Sequence, residues 1–98
     1  MKNTFYQLLA DLKNKAQVKL FLKDFLTESE LNTLANRLAI IKLLNQGKSY
    51  AEINKKLKVS SATIASTANL LNKKGSKLAI EKIKLDEWVE KIIGKIIW

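Results

Sequence analysis

The stretch that decides the fold, residues 49–71, reads SYAEINKKLKVSSATIASTANLL. Ser49, with Glu52 three residues later, forms a capping box, in which the hydroxyl and the carboxylate satisfy backbone amides at a helix start. A short turn follows, and the Ser60 hydroxyl can cap a second helix that runs to about Leu71. The positions of the first helix expected to face inward are Tyr50, Ile53 and Leu57.

The same part of the chain carries most of the positive charge. The protein has a net charge of +9, and residues 48–77 hold seven lysines against the single acid Glu52. Residues 1–47 carry +3, and residues 78–98 are neutral. Residues 59–72 have no charge at all, so lysines border an uncharged helix on both sides. A binding partner interacts with the local charge of a surface rather than with the net charge of the whole protein. This distribution of lysines therefore indicates that a polyanion binds near that helix.

Two short capped helices, a three-residue turn and flanking lysines are the plan of a helix-turn-helix, here at about residues 49–71. In such a motif the second helix enters the major groove of double-stranded DNA, where small side chains meet base edges and lysines hold phosphates. The candidates for base contact are Ser60, Ser61, Ala62, Ala65 and Ser66. The candidates for phosphate contact are Lys55, Lys56, Lys58, Lys73 and Lys74.

The alternative interpretation is a helical hairpin in a plain bundle with solvated lysines. The usual turn glycine is also absent. Lys58 lies there instead, and a left-handed backbone at a residue with a side chain costs on the order of 1 kcal/mol, which the motif tolerates.

The rest of the chain predicts an all-α fold of five to six helices in one domain, residues 1–98, because it has no Pro, three Gly and apolar residues at helical spacing. Asn3 or Thr4 is expected to cap the first helix, and a second helix follows that carries the apolar residues Val18, Phe21, Leu22, Phe25 and Leu26. A Thr27–Glu30 capping box opens a long third helix that ends at Gly47. Residues 72–75 are expected to form a loop, and residues 76–98 could form one helix or two, broken near Lys84.

Several functional classes are excluded. Without Cys or His, the chain has no thiol nucleophile, disulfide or Cys/His metal site, and no cofactor is predicted. Asp86, Glu87 and Glu90 are expected to be solvated surface acids, so an enzyme is not expected. No signal peptide and no apolar run of transmembrane length is seen, which predicts a soluble, cytoplasmic protein.

Two other partner classes compete with duplex DNA. A helix with Trp88, Trp98 and interspersed Ile residues could lie on a membrane surface, or act as a protein-interaction module without specific DNA binding. The neutral charge of residues 78–98 argues against anionic lipid and favours a core or dimer helix. RNA is the other rival, but the candidate reading face lacks aromatic residues that stack on unpaired bases.

A set of residues in fixed order carries a family resemblance: Leu26-Thr27, Leu34, Arg37-Leu38, Leu43-Leu44, Gly47, Ser49, Glu52, Leu57, Ala62-Thr63-Ile64, Asn69 and Leu71. Through residues 26–71 the chain resembles the Trp repressor superfamily, and with residues 5–25 included it looks most like the small bacterial Trp-repressor-like proteins. Leu85, Trp88 and Val89 are similar to the closing helix of the repressor. The resemblance implies an intertwined homodimer on a palindromic operator, with a repressor's role. The wide apolar stripe of residues 31–44 fits such a dimer.

In the repressor, tryptophan lies between two arginines. The first matches Arg37, the one Arg of the chain, but the second position is Ser66, which cannot stack on an indole or supply a cation. This difference argues against tryptophan sensing, and no other effector is identified. Arg37 could bind a carboxylate or phosphate ligand, or pair with Glu30 or with a carboxylate of the second subunit; the structural pair is favoured.

Overall fold

A computed structural model describes the backbone of residues 1–97 and the side chains of residues 1–94. Trp98, which belongs to the membrane-surface interpretation, lies outside the described residues. The fold is all-α, as the sequence predicts, and residues 1–97 contain no strand. The six helices are α1 (Lys2–Asp11), α2 (Lys15–Phe25), α3 (Glu28–Asn45), α4 (Tyr50–Leu57), α5 (Ser61–Ala68) and α6 (Lys74–Ile97).

The start of α3 confirms the predicted capping box. The backbone N–H of Thr27 donates to the Glu30 carboxylate at 2.9 Å, and the N–H of Glu30 donates to the Thr27 hydroxyl at 3.1 Å. The prediction for α1 is wrong, because the helix begins at Lys2 and has no side-chain cap. Asn3 and Thr4 lie inside α1, where their modest helix propensities do not interrupt it. Asn14 caps α2 through the Gln17 N–H at 2.9 Å, a cap that the sequence pattern alone does not single out.

Gly47 follows α3 with a φ of +82°, which confirms the expected left-handed stop.

The boundary between α5 and α6 differs from the prediction. Helix α5 ends at Ala68 instead of about Leu71, and residues 69–73 form turns closed by i to i−3 hydrogen bonds such as Leu70 N–H to the Thr67 carbonyl at 2.9 Å. Helix α6 then begins at Lys74, so residues 74 and 75 are helical rather than part of a loop. It is one continuous helix through Lys84.

The chain divides into two compact units, residues 1–35 and residues 36–98. In the first unit, neither α1 nor α2 has a fully buried side chain. An aromatic contact joins the two helices: the ring centroid of Phe21 in α2 lies 6.2 Å from that of Phe5 in α1, and within α2 it lies 4.4 Å from that of Phe25. The helices of this unit therefore share a thin layer of apolar contacts and no closed core.

The second unit contains the described core. Ile40 and Leu43 of α3, Ile53 of α4 and Ile64 of α5 form one buried cluster, with Leu44, Leu57 and Val59 packed around it. Burying an isoleucine completely contributes about 1.5–3 kcal/mol, and three of these side chains have no exposed surface. One inward prediction is wrong: Tyr50, the first residue of α4, is 41% exposed and does not belong to the buried cluster. The cluster fixes α4 and α5 against α3.

Candidate nucleic-acid interface

Helix α4 begins with the capping box predicted from the sequence. The Ser49 N–H donates to the Glu52 carboxylate at 3.3 Å, and the Glu52 N–H donates to the Ser49 hydroxyl at 3.1 Å. The side chain of Lys48 lies 3.9 Å from the same carboxylate. Together these contacts set the first turn of α4, while Ile53 anchors its inner face in the core.

The turn between α4 and α5 has the predicted left-handed residue. Lys58 has φ 55° and ψ 42°, and its N–H donates to the Asn54 carbonyl at 2.8 Å. The side-chain amide of Asn54 donates to the carbonyl of Val59, the next residue along. Sequence reasoning missed this second bond, whose only signal is an amide residue one turn before the end of α4. Asn54 therefore ties the turn down from both sides, and the motif holds its shape without a glycine.

Ser60 caps α5 as predicted. Its hydroxyl accepts from the Thr63 N–H at 3.1 Å and donates to the Thr63 hydroxyl at 3.0 Å. Both bonds engage the Ser60 hydroxyl in the helix start. Among the five candidate base-contact residues, Ser60 thus has a structural task of its own.

The outward face of α5 brings the other candidates together. Ile64 and Thr67 are buried, and Ala62, Ala65 and Ser66 lie exposed on the opposite side. Ser61, also exposed, flanks them at the start of the helix. Asn69, which sequence reasoning did not assign to this face, follows in the same row at i, i+3, i+4 and i+7 from Ala62. The helical repeat could have identified it, because the sequence already predicted this helix to run past Asn69 to about Leu71.

The candidate phosphate-contact lysines surround this face in the chain and are all exposed. Lys55 and Lys56 lie in the last turn of α4, Lys58 in the turn between α4 and α5, Lys73 just before α6, and Lys74 at its first position. The ion pairs seen among residues 36–94 are those of Lys42 with Glu87 and Lys48 with Glu52. All five candidate ammonium groups are thus unneutralised in the described part of the unit.

Comparison with known proteins gives a family. A family model described as Trp repressor protein matches residues 2–84, which include α1 to α5 and the first half of α6. The chain belongs to the Trp repressor family. It is also 27% identical over 84 residues to "Uncharacterized protein YerC" of Bacillus subtilis (strain 168), with 84% of this chain and 81% of that protein covered. No solved structure matches the chain.

The Trp repressor family is a family of helix-turn-helix DNA-binding regulators and is not an enzyme family. The matched region stops at residue 84, so the resemblance of Leu85, Trp88 and Val89 to the repressor's closing helix lies beyond it. None of the described helices is both long and apolar enough to cross a membrane. Within the described residues there is also no cluster of three or more acids that could hold a metal ion.

Arg37 lies exposed on α3. Neither ion pair seen in residues 36–94 involves it. The carboxylate of Glu30 is engaged by Thr27, and that backbone hydrogen bond lowers the Glu30 pKa below its ordinary value. The structure thus gives Glu30 a capping role.

One acid expected to be simply solvated has a partner. The Lys42 ammonium lies 2.6 Å from the Glu87 carboxylate and joins α3 to α6. The hydrogen bond from Lys42 lowers the pKa of Glu87. Sequence reasoning missed this pair because the two residues lie 45 positions apart in the chain.

Proposed function

We propose that this protein is a sequence-specific, double-stranded DNA-binding transcriptional regulator, a repressor, that acts as a helix-turn-helix homodimer. One observation carries the proposal: α5 presents an exposed, uncharged face opposite Ile64 and Thr67, and exposed lysines precede and follow it. The family supports a DNA-binding regulator in general. The base and phosphate roles given to individual residues are ours.

Two different groups of side chains are proposed to contact the bases and the phosphates of the DNA. The base contacts are assigned to Ser61, Ala62, Ala65 and Ser66, and Ser60 approaches a base edge only in addition to capping α5. The phosphate contacts are assigned to Lys55, Lys56, Lys58, Lys73 and Lys74. Phosphate contacts release counterions, so log affinity should fall with log salt by about 0.9 per contact in duplex DNA.

The test measures fluorescence anisotropy of a labelled duplex at several salt concentrations. We expect steep salt dependence, and the slope should fall by about one for each phosphate that the Lys55→Ala/Lys56→Ala variant no longer neutralises. The matched control is Lys19→Ala/Lys23→Ala, which removes the same charge from α2 and should leave the slope nearly unchanged. Affinity that is insensitive to salt, or equal effects of the two double variants, would contradict the assignment.

We include a homodimer in the proposal because a single reading helix of small side chains covers few base pairs. A two-fold dimer would place two copies of α5 about 34 Å apart, one turn of DNA, on a palindromic site. Large apolar side chains are exposed in the chain by itself, among them Leu20, Phe25, Leu34 and Trp88. Light scattering at micromolar concentration should give twice the chain mass; the mass of a single chain would refute the dimer.

For Arg37 we propose an ion pair with a carboxylate of the second subunit rather than an effector site. The support is its exposure on α3 without an ion pair in residues 36–94, together with Ser66 in place of a second arginine. Arg37→Gln should then weaken dimerisation, as measured by sedimentation, and Arg37→Lys should retain most of it. A variant that dimerises normally but loses a small-molecule response would favour the effector role.

A second candidate function rests on α6. Leu85, Trp88 and Ile93 are all exposed on this helix, and Trp88 is 59% exposed. Such a face fits a membrane surface or another protein as well as a dimer. Co-flotation of the intact protein with anionic liposomes, abolished in a Trp88→Ser/Ile93→Ser variant, would favour this candidate. An absence of co-flotation favours DNA regulation through a dimer.

A further inference from the structure

Four exposed residues in one row form what we call the reading stripe: Ala62, Ala65, Ser66 and Asn69. They lie on the side of α5 and its C-cap that faces away from Ile64 and Thr67. Asn69 still has helical backbone angles, φ −62° and ψ −19°, so the row continues to it. At 1.5 Å per residue the row is about 10 Å long, the rise of roughly three base pairs.

The chemistry of the reading stripe is unusually restricted, since none of its members is charged. The commonest contact to guanine is a bidentate one from Arg or Lys, and the one Arg of the chain, Arg37, belongs to α3. Alanine methyl groups suit the C5-methyl of thymine, and a serine hydroxyl meets any base. The side-chain amide of Asn69 matches N6 and N7 of adenine in a bidentate way.

The side-chain amide of Asn69 is also available to contact a base. The side-chain hydrogen bonds in the described motif belong to Ser49, Glu52, Asn54, Ser60 and Thr63. Asn69 takes part in the α5 C-cap through its backbone N–H, which donates to the Thr67 carbonyl. Its exposed side chain is therefore not needed to hold the turn, unlike that of Asn54.

We propose that the reading stripe selects A·T base pairs, with Asn69 as the residue that specifies adenine and Ala62 and Ala65 contacting thymine methyl groups. The inference rests on the proposed function and deepens it, because it names the class of duplex that the same site recognises. Each half-site should contain a run of about three A·T pairs opposite α5.

The first experiment selects bound duplexes from a random library with the intact protein and then measures their affinity by anisotropy. We expect A·T pairs at the centre of each half-site. Changing the pair that faces Asn69 from A·T to G·C should weaken binding by roughly tenfold, the usual cost of one mismatch. In the Asn69→Ala variant, the duplexes with A·T and with G·C at that position should bind with nearly equal affinity. Asn72→Ala, an exposed amide outside the stripe, is the matched control and should keep the tenfold preference.

The second experiment changes only the DNA. Replacing the half-site thymines by uracil removes the C5-methyl groups and should weaken binding several-fold, with no dependence on how a variant folds. Selected half-sites rich in G·C, an unchanged preference in a folded Asn69→Ala, or equal affinity for thymine and uracil would each overturn the inference while leaving duplex binding intact. Failure to bind any duplex would instead overturn the proposed function itself.

Discussion

At the scale of single residues, Lys58 shows how the motif dispenses with a turn glycine. It holds a left-handed backbone at φ 55°, which disfavours any residue with a side chain. Lys58→Gly should therefore raise the free energy of unfolding by about 1 kcal/mol, measured by urea denaturation. Lys58→Ala removes the same charge without relieving the strain and should not stabilise the protein. Equal stabilities of the two variants would show that the backbone strain is not released.

Ser60 offers a second test at this scale. Its hydroxyl accepts the Thr63 N–H, so Ser60→Ala should lower the free energy of unfolding by about 1 kcal/mol, the usual cost of removing an N-cap. The neighbouring Ser61→Ala should stay within about 0.5 kcal/mol, since Ser61 is an exposed first-turn residue. The same denaturation experiment measures both. A larger loss of stability in Ser61→Ala would contradict the capping assignment.

Two carboxylates connect stability to pH. The backbone hydrogen bond from Thr27 lowers the pKa of Glu30, and the hydrogen bond from Lys42 lowers that of Glu87, both from an ordinary 4.5. A carboxyl whose pKa is lowered by folding contributes stability that is present above the unfolded value and lost as pH falls through the folded value. Thermal unfolding midpoints should therefore decline below about pH 4.5. Glu30→Gln, which keeps a capping-box side chain, should make that decline shallower. An unchanged dependence of the thermal midpoint on pH in this variant would contradict the contribution assigned to Glu30.

At the scale of elements, several local signals predicted the helix ends correctly, although the Asn14 cap of α2 was missed and the cap expected at Asn3 or Thr4 is absent. The capping boxes of α3 and α4 and the stop at Gly47 follow from side chains three residues apart or from one glycine, and all are observed. The exposure of Tyr50 and the early end of α5 were not predictable in this way, because both depend on how the helices pack. The same holds for Asn54, whose bond reaches beyond its own helix. Tertiary contact decides such cases, and a single sequence does not record it.

The packing of α4 gives a prediction for an element as a whole. Ile53 is completely buried in the cluster that joins α4 to α3 and α5. Ile53→Ala should lower the free energy of unfolding by about 2–5 kcal/mol, through reduced burial and the cavity left behind. Tyr50→Ala, on the same helix but 41% exposed, should cost far less. Urea denaturation measures both, and similar effects of the two variants would mean that α4 packs differently.

At the scale of the whole molecule, the exposed apolar surface is the feature that one chain alone does not explain. Residues 1–35 form a compact unit in which α1 and α2 bury no side chain completely. Fewer than about 40 residues rarely bury enough surface to be stable by themselves. A second copy that covers these faces would supply the missing burial and would double the set of lysines near the DNA. Stability and DNA binding would then depend on the same association.

Leu20 tests that dependence, since it is 68% exposed on α2 of the single chain. On a solvated surface, Leu20→Ser should change stability by no more than about 0.5 kcal/mol. If a second copy covers α2, the variant should instead lower the thermal midpoint and weaken dimerisation, and the midpoint of the unaltered protein should rise with its concentration. Lys19→Ser, the exposed neighbour, is the matched control. We expect the second outcome; a midpoint independent of concentration, with Leu20→Ser as harmless as Lys19→Ser, would show that α2 faces solvent and that the monomer is the stable species.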